Sequence, residues 1–273
     1  MLMKSMSLII MEKYLDFTES ARIAEAFRNA RKRLILLDYD GTLVPFHCEP
    51  SKALPDKFLI KLLTDLSERS NLDLVIISGR HKDFLDKIFR NLKATLFGEH
   101  GAVFRINGKW DALENDISWH LEVAEIVKEA VLNTAGSNME IKDNSIVWHY
   151  RKSDADQAMD QVSKLITKLT PVCNRCDLTI MKGRKIIEVK PSEYTKGTTI
   201  LNFFNCSAYD FILAAGDDTT DEDLFEALPR SAITIHVGQS SDYSTCTARN
   251  SKEFVDFLDF LRVDSALEVG PGV

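Results

Sequence analysis

Four apolar residues run straight into two aspartates, Leu34-Ile35-Leu36-Leu37-Asp38-Tyr39-Asp40-Gly41-Thr42, and this stretch constrains the chain more than any other. An unbroken apolar run of that length reads as a strand buried on both faces, the kind found in parallel sheets covered by helices. Side chains two apart on a strand point the same way, so Asp38 and Asp40 converge where the strand opens into its loop. Two carboxylates so close repel, and one pKa rises unless a cation joins them; a divalent metal and a phosphate substrate suit such a place. Asp-Gly is also a common turn signal, and a plain strand end with an Asx turn would use the same residues.

Further apolar runs, Leu72 to Ile77, Thr95 to Phe97, Phe211 to Ala214 and Ala232 to Val237, alternate with stretches of helical spacing. Those stretches are Lys57 to Arg69, Lys82 to Leu92, Thr198 to Phe204 and Glu222 to Leu228. The alternation predicts an α/β fold with a doubly wound, Rossmann-like parallel sheet, in which ligands bind beyond the carboxyl ends of the strands. From about Val103 to Lys190 the rhythm changes to hairpins, turning at Asn107-Gly108, Asp143-Asn144 and Lys182-Gly183, with helices expected over Trp119 to Asn133 and Asp154 to Leu169. This segment reads as an inserted mixed α/β cap with a mixed sheet. The expected division is a core of residues 1–104 and 191–273 and a cap of residues 105–190.

The net charge of −7 is spread along the 273 residues without a basic block, which speaks against a nucleic-acid surface or an electrostatic membrane anchor. No apolar run approaches the ~20 residues that span a bilayer. The patch Leu8, Ile9, Ile10 near the amino terminus has neither the length nor the cleavage site of a secretory signal. Five cysteines, Cys48, Cys173, Cys176, Cys206 and Cys246, are an odd count that suits a reducing cytoplasm better than a disulfide framework. The expectation is a cytoplasmic monomer. Cys173 and Cys176 have zinc-ligand spacing but no second close pair to complete a site.

Three other signals belong near Asp38 and Asp40. The strand Leu74 to Ile77 ends in Ser78-Gly79-Arg80, a hydroxyl and a glycine suited to hydrogen-bonding a phosphate oxygen. Lys196 stands at the expected amino terminus of a helix, where cationic and amide groups hold anions together. Phe211 to Gly216 leads into Asp217-Asp218-Thr219-Thr220-Asp221-Glu222, where one acid suits a helix cap and the others supply the hard oxygen ligands that Mg²⁺ takes. Whether Asp218 or Asp221 joins Asp217 as a ligand stays open at this level.

These four elements, in this order, resemble the haloacid dehalogenase-like phosphohydrolases. That resemblance implies Asp38 as the nucleophile, Asp40 as general acid and base, and Ser78, Gly79 and Lys196 around the phosphoryl oxygens. It further implies Mg²⁺ held by Asp38, Asp40 through its carbonyl, and Asp217 with Asp218 or Asp221. More narrowly, KRLILLDYDGTLVP from Lys32, ISGR from Ile77, GEHG from Gly98, EIKDNSIVWHYR from Glu140, EVKPSEYTKG from Glu188 and GDDTTDEDL from Gly216 are similar to the trehalose-6-phosphate phosphatases. On that resemblance Glu140, Lys142, Arg151, Arg184 and Glu188 of the cap contact a disaccharide, with Glu99, His100 and Gly101 lining the same cleft. The alternating acids and bases of the cap would also make an ordinary solvated face. The implied activity is hydrolysis of trehalose 6-phosphate, the last step of trehalose biosynthesis, by a free-standing or excised phosphatase, with a trehalose-6-phosphate synthase as the implied partner. Another sugar-phosphate phosphatase or phosphomutase, or a silent regulatory module, would carry much the same core.

Overall fold

The computed structural model describes residues 13–47, 49–114 and 116–264; the amino-terminal patch and Cys48 lie outside them. Helix α1 (Phe17–Asn29), capped by the Asp16 side chain, leads into β1 (Arg33–Leu37), whose five residues are all buried. Full burial of such a leucine contributes about 1.5–3 kcal/mol, so this strand anchors the sheet as well as aiming Asp38. Then follow α2 (Lys57–Ser67), β2 (Leu72–Ile77), α3 (Lys82–Phe89) and β3 (Thr95–Gly98). A hairpin of β4 (Val103–Ile106) and β5 (Lys109–Ala112) precedes α4 (His120–Leu132). Next come β6 (Asn138–Ile141), β7 (Ile146–His149), α5 (Ala155–Cys176), β8 (Leu178–Gly183) and β9 (Ile186–Pro191). The chain ends with α6 (Lys196–Phe203), β10 (Phe211–Gly216), α7 (Thr219–Ala227), β11 (Ile233–Val237), β12 (Cys246–Ala248) and α8 (Ser251–Asp264).

The larger sheet has the order β12-β11-β10-β1-β2-β3-β4-β5, parallel from β12 to β3. Chain direction across the sheet reverses beside β1: β2 and β3 are laid on one side, β10 to β12 on the other. That reversal opens a crevice at the carboxyl ends of β1 and β10. One face packs residues such as Ile35, Leu37 and Leu213 with Phe27, Leu63 and Phe254, and the other packs Leu34 and Leu36 with Ile200 and Leu224.

The Val103 hairpin, expected to open the inserted segment, belongs to this larger sheet, so residues 105–112 extend the core sheet and not the cap sheet. Glu99, His100 and Gly101 all have positive φ, at 49°, 59° and 112°, and this tight reversal folds β4 antiparallel onto β3. The second sheet, β6-β7-β9-β8, is antiparallel throughout, where a mixed sheet was expected. It closes around Trp148, Val123, Val127, Leu165 and Ile187. Helix α5 runs past Leu169, its expected end, and through Pro171. Burial of Val172 and Cys173 in the cap core holds the last turns despite the lost backbone hydrogen bond. Cys173 and Cys176 are free thiols of this helix, as are Cys206 and Cys246 elsewhere. Among the described residues no helix is long and apolar enough to cross a membrane.

Candidate active site

Asp38 follows β1 directly, Ser78 follows β2, Asp217 follows β10, and Lys196 is the first residue of α6, so four neighbouring chain ends deliver four polar groups to one place. The Thr195 hydroxyl accepts from the Thr198 amide at 3.1 Å and caps α6, which fixes where Lys196 begins. Lys196 is 2% exposed, and its Nζ donates to Asp38 Oδ1 at 2.7 Å and to Asp221 Oδ1 at 2.8 Å. Burial works against that ammonium, but the charges of Asp221 and Asp38 outweigh it and hold its pKa well above the ordinary value.

Asp38, Asp217 and Asp221 each present a carboxylate oxygen, all within 4.8 Å of one another. Asp38 Oδ2 and Asp217 Oδ2 are buried without a hydrogen-bond partner, although Arg184 Nη2 reaches down from the cap to within 3.3 Å of the latter. Burial pushes the Asp38 carboxyl up to about 6 against the pull of Lys196. Burial pushes Asp217 up to about 8, with the charges of Asp38 and Asp218 adding to it. Buried, mutually repelling and partly orphaned oxygens are stabilised by a hard divalent cation, and this donor set fits Mg²⁺. Gly41, at φ 89°, is needed here: a Cβ on it would meet the Asp217 carboxylate at 2.5 Å.

Asp218 and Asp221, left as alternatives by the sequence, divide the work. Asp218 caps α7, its Oδ1 accepting from the Thr220 amide at 2.9 Å and hydroxyl at 2.6 Å. Asp221 turns Oδ2 to the amides of Asp217 and Asp218 and Oδ1 into the cluster. The Asp40 carboxylate is outside the triad. Arg80 grips it with two hydrogen bonds, Nε to Oδ2 at 2.6 Å and Nη2 to Oδ1 at 2.5 Å, while the guanidinium lies over the Phe84 ring at 4.3 Å. The Ser-Gly-Arg motif gives Arg80 no role by itself; its place two residues past Ser78, beyond the carboxyl end of the strand beside β1, is the available signal. The Ser78 hydroxyl, 2% exposed as a residue, accepts from the Arg80 amide at 3.2 Å.

Cap and core meet over this loop. Lys142 Nζ donates to the Gly79 carbonyl of the core at 2.9 Å and to Glu188 Oε1 of β9 at 2.9 Å. Glu188 also accepts from Ser145 Oγ at 2.7 Å and faces His100 Nε2 at 3.3 Å, and Ser145 is a partner that the sequence reading missed. Burial opposes the Glu188 charge, yet Lys142 and His100 outweigh it and hold the carboxyl well below its usual range. Gly79 packs against His100 so closely that an added Cβ would lie 2.7 Å from Nε2. Gly101 packs against Thr199, and Glu99 Oε2 accepts from the Asn144 amide at 2.7 Å. Two of the expected contacts lie apart from this network. Glu140 pairs with His149 at 2.7 Å, and Arg151 donates to the Arg184 carbonyl at 2.7 Å. The Arg184 guanidinium itself stacks 3.9 Å from the Phe46 ring centroid beside Asp217.

Comparison with known proteins follows the same lines. A family model described as trehalose-phosphatase matches residues 36–258. A bifunctional trehalose-6-phosphate synthase/phosphatase of Thermoproteus tenax is 38% identical over 228 residues, covering 83% of this chain and 31% of that protein. A trehalose-phosphatase of Schizosaccharomyces pombe is 36% identical over 215 residues, covering 75% and 26%. The chain thus spans about a third or less of the length of these relatives. The solved C-terminal domain of trehalose-6-phosphate phosphatase from C. albicans superimposes with a TM-score of 0.84 at 28% identity, covering 92% of this chain and 99% of that one. With the strand order, the acidic triad and a family match across both sheets, the chain belongs to the trehalose-phosphatase family.

Proposed function

We propose that this chain is a Mg²⁺-dependent phosphatase that hydrolyses trehalose 6-phosphate to trehalose and inorganic phosphate through an aspartyl-phosphate on Asp38. The observation that carries the reading is the buried Asp38 carboxylate, 2.7 Å from Lys196 and beside Asp217 and Asp221, beneath a cap that reaches the Gly79 loop through Lys142. Asp38 attacks phosphorus, the bond from phosphorus to the sugar oxygen breaks, and the departing oxygen takes a proton from Asp40. Asp40, now ionised, removes a proton from water; that oxygen attacks phosphorus and releases phosphate from Asp38. The two-pronged Arg80 contact fixes the position of the Asp40 carboxyl for both proton transfers.

Lys196 and the Ser78 hydroxyl hold the phosphoryl oxygens, and Lys196 also orients Asp38. Asp38, Asp217 and Asp221, with the Asp40 carbonyl, would hold Mg²⁺. When bound, the ion neutralises charge that would otherwise keep an anionic nucleophile from an anionic substrate. Lys142, Glu188, Arg151, Arg184 and Glu140 supply donors and acceptors for sugar hydroxyls, with Glu99, His100 and Gly101 forming the core side of the cleft. By its name, the T. tenax relative joins a synthase to a phosphatase; association with a trehalose-6-phosphate synthase is part of the proposal. Phosphate release measured on trehalose 6-phosphate, sucrose 6-phosphate and mannose 6-phosphate tests it. Preference for the first is expected, and equal or greater turnover of another overturns the substrate assignment.

A further inference from the structure

A second group of ligating side chains lies outside the acidic triad, where core and cap meet. His81 caps α3, Glu99 follows β3, and Asp143 stands in the β6–β7 turn of the cap. His81 Nε2 is 3.5 Å from Asp143 Oδ1 and 3.8 Å from Glu99 Oε1, and the three donor atoms lie within 4.8 Å of one another. Donors about 2.0–2.2 Å from a tetrahedral ion stand about 3.3–3.6 Å apart, so the His81–Asp143 separation already fits and Glu99 must draw closer to both partners.

Independent of that spacing, Glu99 Oε1 is buried with no hydrogen-bond partner, on a side chain only 1% exposed, and it points into the group. Its other oxygen is satisfied by the Asn144 amide. A buried charged oxygen left unpaired is costly, and a cation at this point removes the cost. The surroundings also suit ligands held in place. Lys82 Nζ donates to Asp143 Oδ2 at 2.5 Å, leaving Oδ1 for the group. Asp143 is 46% and His81 26% exposed at the side chain, which leaves an entry path from solvent. His81 Nδ1 now accepts from the Asp83 amide at 3.2 Å. Ligation through Nε2 moves the ring proton to Nδ1, which exchanges the Asp83 amide for the Asp83 carboxylate 3.5 Å away, the usual outer partner of a ligating histidine.

We propose that His81, Glu99 and Asp143 form a second divalent-metal site, with water completing a tetrahedral shell, that ties the cap turn to the core. One imidazole with two carboxylates selects a borderline ion such as Zn²⁺ over Mg²⁺, which distinguishes this site from the all-oxygen triad. Because Asp143 belongs to the cap and His81 and Glu99 to the core, an ion here would bridge the two.

Equilibrium dialysis with Zn²⁺, read by elemental analysis, tests this without reference to turnover. Wild type is expected to retain one ion more than His81→Ser, which keeps a side-chain cap for α3, and one more than Asp143→Asn in its exposed turn. Asp217→Asn, which touches only the acidic triad, is expected to keep the His81 ion. Circular dichroism confirms that each variant is folded. Wild-type stoichiometry in folded His81→Ser and Asp143→Asn overturns the proposal.

Discussion

Replacing Asp217 with asparagine should stabilise the metal-free protein and abolish the stabilisation that Mg²⁺ confers. Folding buries Asp217, 5% exposed, against Asp38, and raises its pKa from 3.8 to about 8. A carboxyl raised in the folded state is harmless at pH below 3.8, where both states are protonated. Its cost grows as pH climbs from the unfolded value toward 8 and stays at its maximum above. At about 1.4 kcal/mol per unit, the cost at pH 9 is on the order of 2 to 5 kcal/mol, because relief at one carboxylate lowers the pKa of its neighbour. Asparagine keeps the shape and removes the charge. Urea denaturation with a chelator should therefore place Asp217→Asn above wild type by that order at pH 8.5 and near it at pH 4. Added Mg²⁺ should raise wild type strongly at pH 8.5 and Asp217→Asn little. A less stable metal-free variant at pH 8.5, or equal Mg²⁺ effects on both proteins, refutes the reasoning.

Glu188→Ala strips Lys142, Ser145 and His100 of a shared buried partner; it should depress trehalose 6-phosphate turnover far more than turnover of a small phosphate ester, and cost about 3–5 kcal/mol of stability. Equal losses on both substrates in steady-state assays would make the network structural alone. Gly79→Ala forces a Cβ to within 2.7 Å of the His100 ring, so it should raise KM for the sugar phosphate while Mg²⁺ affinity, measured calorimetrically, stays as in wild type. Arg80→Gln loses both grips on Asp40 and should lower kcat by up to about 100-fold in steady-state assays, within the range of general acid–base catalysis, while wild-type kcat would refute the positioning role.

Much of the core was legible because its signals are local. The run Leu34 to Leu37 fixes a buried strand, and residues at strand ends fall where a parallel sheet gathers its loops, which brought Asp38, Ser78, Lys196 and Asp217 together. What escaped depends on pairings between distant residues. The hairpin Val103 to Ala112 has an edge-strand pattern that fits either sheet, and only the positive-φ reversal at Glu99 and His100 assigns it to β3. The grip of Arg80 on Asp40 spans 40 residues, and the meeting of His81 with Asp143 crosses from core to cap. Helices α1 and α8, whose buried faces include Phe27 and Phe254, cover the sheet beside α2 and were not anticipated. Asp218 and Asp221 share one helix start, so their division between capping and the cluster required coordinates.

The claim on which the account turns is that Asp38 itself receives the phosphoryl group. Acid quenching during turnover of trehalose 6-phosphate, followed by peptide mass analysis, measures this directly. A phosphoryl adduct on the peptide bearing Asp38 is predicted, longer-lived in Asp40→Asn and absent in Asp38→Asn. Product formation with no adduct at any quench time, or an adduct on another residue, would contradict it.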